Sequence, residues 1–210
     1  MNDIRRIASY KPESSVAAAE LLVQLNAFDP AVIVFFAAQS YDGALIARLL
    51  RHRFPAAQVI GCSTGGDASL PNGGVTALVL ASADVAAAAA RLVRFNVEGV
   101  DAGVRGAAAS LARELGIDEL RDANPTRFVG VVLFDALNGS AAEASDILDD
   151  VAPTLSFVAG AADATGPRMS KVFCNDTETT SGAALLLIDS SVPLAITEHV
   201  NRTLTAVWFA

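Results

Sequence analysis

Two continuous apolar runs, AVIVFFAA (Ala31–Ala38) and FVGVVLFDA (Phe128–Ala136), limit most sharply what this chain can fold into. Both are short, rich in β-branched and aromatic residues, and lack the polar alternation of a half-exposed strand. That composition belongs to a strand buried on both faces, which requires covering layers above and below it. Each run leads into a polar turn, a helix and a proline. In the first these are Gln39–Gly43, a helix over 44–54, and Pro55; in the second, Leu137–Ser140, a helix over 141–151, and Pro153. A short strand follows each time: VIGCSTGGD (Val59–Asp67), and Ser156–Val158 running into Ala159–Asp163. Val75–Ala81 and Gly182–Ile188 read as the closing strands.

The spacing suggests an internal duplication. Phe36 and Phe134 stand 98 positions apart, as do Pro55 and Pro153, whereas Gly74 and Gly182 are separated by 108. The expected copies cover about 31–95 and 128–210. A helix over about 101–115 joins them, with Gly116 as its C-cap. An earlier helix, SSVAAAELLVQLNAF, ends at Asp29-Pro30. Alanine favours helix, yet the flanks of Ala86–Ala90 read as strand, as does the closing PLAITEHVNRTLTAVWFA. The fold expected is α/β, one domain over 1–210, with a mixed sheet covered by helices and built from two β-α-β-β units.

Hydrophobic residues make up 52% and charged residues 18%, enough for a large core. A net charge of −8 argues against a nucleic-acid surface, which needs clustered Lys and Arg. The apolar runs are far shorter than a membrane span. Two distant cysteines do not make a disulfide scaffold and fit a reducing cytoplasm. Exposed strand edges would permit a homodimer.

In open α/β sheets, ligands bind beyond the carboxyl ends of the strands. That rule selects four loops: Gln39–Asp42, Gly61–Asp67, Asp135–Ser140 and Gly160–Thr165. Cys62 is the sharpest candidate nucleophile, but a cysteine enzyme needs a base, normally histidine. The chain has only His52, between Arg51 and Arg53 at a helix end, and His199 near the C-terminus. A small structural cysteine at a strand end is the favoured reading.

Ser63, Thr64, Gly65 and Gly66 offer hydroxyls and backbone N–H groups for a carboxylate or polar small molecule. The lysine and register of a P-loop are missing, and no histidine and cysteine spacing suits zinc. Haem needs one axial ligand, for which His52, His199, Cys62 or Cys174 are candidates. Ser40, Tyr41, Asn138 and Asp163 complete the candidate ligand contacts. Turn and cap roles compete with this, with Asp42 as an N-cap and Ser140 with Glu143 as a capping box.

The buried strand with its Ser/Tyr/Asp turn, the helix and VIGCSTGGD together resemble the FIST N-terminal domain. Val158–Asp163, Lys171-Val-Phe-Cys-Asn175 and Gly182–Ile188 resemble that domain's later segments. The likeness covers about residues 15 to 200. It implies an intracellular sensory domain for a small, amino-acid-like ligand. Some members resemble haem-binding nitric-oxide sensors that regulate histidine kinases or cyclic-dinucleotide enzymes. Members usually carry a second, C-terminal FIST domain, which is not found before Ala210, and Ala159-Gly160 stands where Gly-Gly is usual. A site shared between two such domains is expected to be incomplete here.

Overall fold

The computed structural model describes residues 4–65, 73–135, 140–162, 170–192, 196–201 and 204–209, the last two ranges in backbone only. The strands divide between two mixed sheets. The first holds β1 (Ile4–Ser9), β4 (Val75–Ala81), β2 (Pro30–Ala38), β3 (Gln58–Thr64), β8 (Val172–Cys174) and β9 (Thr177–Thr179), in that order. The second runs β5 (Val85–Arg94), β10 (Gly182–Ser190), β6 (Phe128–Asp135), β7 (Phe157–Ala162). Among the described residues, β11 (Ile196–Asn201) and β12 (Leu204–Phe209) pair only with each other.

Three apolar layers explain the continuous runs. On β2, Ile33, Phe35 and Ala37 pack under helices α1 (Ser14–Gln24) and α2 (Gly43–Arg53). Val32 and Val34 point the other way, into a core shared with the second sheet. Strand β6 alternates likewise. Phe128, Val132 and Phe134 lie under α4 (Val100–Glu114) and α5 (Ser140–Val151), while Val129, Val131 and Leu133 enter the inter-sheet core. A one-turn helix, α3 (Phe95–Glu98), leads into α4. The α/β class therefore stands, but as two sheets stacked face to face, each covered by helices on its outer side only.

Both sheets follow one pairing order. β4-β2-β3 and β10-β6-β7 each contain an antiparallel pair and then a parallel pair. Two details depart from the expected copies. Val85–Arg94 is a strand, yet it pairs with β10 in the second sheet and not with the first-copy strands. The equal spacing of Phe36 and Phe134 aligns opposite faces, because Phe36 packs between the sheets and Phe134 packs under the helices. A register slip of one residue reverses every side chain of a strand.

Glycine and aromatic residues interlock in both sheets. Gly61 lies opposite Phe35 in the β2–β3 ladder, and a side chain at 61 would run into the Phe35 ring. Gly130 stands in the same relation to Phe157 across β6 and β7. The ring of the neighbour fills the space that the missing side chain leaves. Gly116, at φ 71°, ends α4 as expected, with Ile117 N–H on Ala112 O at 3.0 Å and Gly116 N–H on Arg113 O at 3.3 Å. No helix among the described residues is long and apolar enough to cross a membrane.

Candidate functional site

The carboxyl ends of β2 and β3 lie side by side and open into a cleft of about 670 Å³. Its first wall is the turn after β2. Tyr41 is buried, and its hydroxyl donates to the Lys11 carbonyl at 2.8 Å. The Asp42 carboxylate accepts from Leu45 N–H at 3.0 Å and caps α2, while Asp42 N–H donates to Ser14 Oγ at 2.8 Å. Gln39 N–H donates to the Thr64 carbonyl at 3.1 Å, which fastens the turn to the end of β3. Gln39, Ser40, Tyr41 and Arg48 all line the cleft.

The opposite wall comes from residues more than a hundred positions away. Lys171 is stitched twice to Ser63: Ser63 N–H donates to Lys171 O at 2.9 Å, and Lys171 N–H donates to Ser63 Oγ at 2.8 Å. Phe173 stacks on Phe35 with ring centroids 5.5 Å apart. It also packs so closely beneath Gly43 that a side chain there would enter its ring. Asn175, at φ 51°, turns the chain into β9 and binds its own side chain back to β3, accepting from Val59 N–H at 2.9 Å. Lys171 Nζ reaches Glu178 Oε1 at 2.8 Å. Lys171, Phe173, Glu178 and Thr180 complete the wall.

Of the residues expected at a site, Ser40, Tyr41 and Ser63 meet at this cleft. Cys62 does not. Strand alternation turns it into the inter-sheet core, where it is fully buried. Burial pushes its thiol up to about 12, far from a usable thiolate. His52 is exposed at the end of α2, on the opposite side of the first sheet from the Cys62 side chain. Thr64 lies at the strand end but not in the cleft lining, where it contributes only its carbonyl to the turn. Asn138 and Asp163 lie outside the described residues, and His199 is on β11, described in backbone only. Cys174 is also buried, and desolvation drives its thiol up to about 12 despite the opposing charges of Arg91 and Arg51. Neither thiol should react with iodoacetamide at pH 8 in the native protein, and both should react once it is unfolded. Rapid native labelling of Cys62, read by mass spectrometry, would revive the nucleophile reading.

Sequence reasoning missed Arg48, Lys171, Phe173 and Glu178. The only signal for Lys171 and Phe173 was the family-like segment Lys171–Asn175, which carries no hint of its partner strand, and Glu178 lies beyond that segment. A second hollow, of about 400 Å³, lies at the amino end of β6 beside Thr126, Arg127 and Ser190–Val192. Arg127 is already committed there to Asp189, at 2.6 and 2.8 Å, and the strand-end rule favours the larger cleft. Haem fits neither place among the described residues. Neither hollow is lined by a histidine or a cysteine, and Cys62 and Cys174 both lie in the core between the sheets. No cluster of metal-ligating side chains is found among the described residues.

No curated protein matches this chain. The family model described as FIST N domain matches residues 31–202, in agreement with the motifs around Cys62 and Lys171. With most of its 210 residues matched, the chain belongs to the FIST N domain family, a family of sensory domains.

Proposed function

We propose that this domain senses a small zwitterionic, amino-acid-like molecule held in the cleft at the ends of β2 and β3. One observation carries the reading: the lining contains two basic side chains, Arg48 and Lys171, and two acidic ones, Asp42 and Glu178, around hydroxyls and an aromatic floor. A balanced set of separated charges complements a ligand that carries both signs. The first turn of α2 adds a positive dipole end suited to a carboxylate. On this reading the domain binds its ligand without turning it over and passes the signal to a histidine kinase or cyclic-dinucleotide enzyme.

A panel of free amino acids and small carboxylates, screened by thermal shift, tests it. A ligand at a hundred times its Kd should stabilise by about 2.7 kcal/mol, a rise of roughly 5–10 °C for a chain of this size. Arg48→Ala, at an exposed position, should leave the unliganded melting temperature unchanged and remove most of the shift. A well-folded protein that no member of the panel stabilises would overturn the proposal, as would a shift indifferent to Arg48→Ala.

A further inference from the structure

We infer that Glu178 sets the selectivity of this cleft by receiving the ligand's protonated amino group; the inference rests on the zwitterion reading above. Glu178 sits on β9, the last strand of the first sheet, and lines the cleft. Its Oε1 accepts from Lys171 Nζ at 2.8 Å. Its Oε2 is the one buried side-chain oxygen or nitrogen without a hydrogen-bond partner among the described residues. An ionised carboxylate accepts about four hydrogen bonds, and leaving a buried acceptor unmet is costly. The other acid of the lining, Asp42, is already committed to the Leu45 N–H as the cap of α2. Asp42 is also exposed to solvent, so Glu178 is the acid of the lining with a buried, unmet oxygen to offer an ammonium group, while Arg48 and the first turn of α2 attract the carboxylate. Its side chain is 37% exposed, so a rotation of the carboxyl group brings the unmet oxygen into the cleft. Lys171 is fixed through its backbone by Ser63, which leaves its ammonium as the movable partner.

Selectivity can be read by comparing the best-binding free L-amino acid with its α-hydroxy acid, which keeps the shape and carboxylate and replaces the ammonium with a hydroxyl. By titration calorimetry, the unmodified protein should prefer the amino acid by about tenfold or more, the size of one charge-assisted hydrogen bond. Glu178→Gln should bring the two affinities close to parity. Lys171→Met removes one of the two cations of the cleft and should change the affinity for both compounds, but it should keep the preference between them, because Glu178 remains to receive the ammonium group. Both side chains are partly exposed, and circular-dichroism melts confirm that each variant folds. Equal affinity for the two compounds in the unmodified protein would overturn the role of Glu178 and leave the cleft as a binding site. Loss of the preference in Lys171→Met as well would show that the ion pair merely shapes the wall, which also overturns the inference. If no amino acid binds, whether or not simple carboxylates do, this inference and the zwitterion reading fall together; if amino acids bind but Glu178→Gln leaves their preference over the hydroxy acids intact, this inference alone falls.

Discussion

Replacing Phe173 with alanine should lower the unfolding free energy by about 3–5 kcal/mol, the cost of removing a buried phenyl ring and leaving a cavity. For a chain of this size that is a fall in melting temperature of roughly 10 °C. Phe173 is 2% exposed, stacks on fully buried Phe35 and fills the space beneath Gly43. Its ring thus holds three things together: the β2–β3 ladder, the start of α2 and the floor of the cleft. Phe173→Leu, which keeps most of the volume, should cost far less, below about 1.5 kcal/mol. Ligand binding should weaken in the alanine variant beyond what its stability alone explains, because the cleft loses its floor. A fall of only one or two degrees in Phe173→Ala would mean that the β8–β9 hairpin is not seated on β3.

The second large effect is alkaline. Cys62 and Cys174 ordinarily ionise near 9.0, and burial in the native protein moves both up to about 12. Between those values the unfolded chain has lost two thiol protons that the folded chain still holds. Because the folded form binds more protons there, stability falls as pH rises. The contribution is complete below about pH 9 and is lost progressively towards about pH 12, at roughly 3 kcal/mol per pH unit for the pair. Urea midpoints measured between pH 8 and 11 should therefore drop more steeply for the natural protein than for a Cys62→Ala, Cys174→Ala double variant. Tyrosine and lysine titrations are common to both proteins and cancel in the difference. Parallel curves would show that the thiols are not held in the dry inter-sheet core.

The local chemistry of the chain was legible where a residue's role depends on its immediate neighbours. Gly116 could be read as a helix end because a left-handed residue there closes the last turn of α4, and Asp42 as a cap because its carboxylate meets an N–H three residues on. The helix spans emerged for the same reason. Less legible were β1, β8 and β9. β8 and β9 are three residues each, too short for a periodic pattern, and they become strands only by pairing with β3 and each other.

The cleft follows the same division. The turn at Ser40–Asp42 was visible as a polar break after a buried strand, and the strand-end rule located it. Lys171 and Glu178 could not be assigned, since the hydrogen bond from Lys171 N–H to Ser63 Oγ spans 108 positions.

By itself, the sequence determined the α/β composition, the order of the longer helices and of the strands other than β1, β8 and β9, the strand-end region to search and the membership in the FIST N family. These follow from buried runs, turn residues and motifs, all of them properties of neighbouring positions. Only the tertiary structure decided that β5 joins the second sheet, that β8 and β9 extend the first, and that Ser63 lines the cleft while Cys62 faces the core between the sheets. The physical reason is that adjacent strand residues point to opposite faces. Which face is cleft and which is core depends on partners brought in from the far side of the chain.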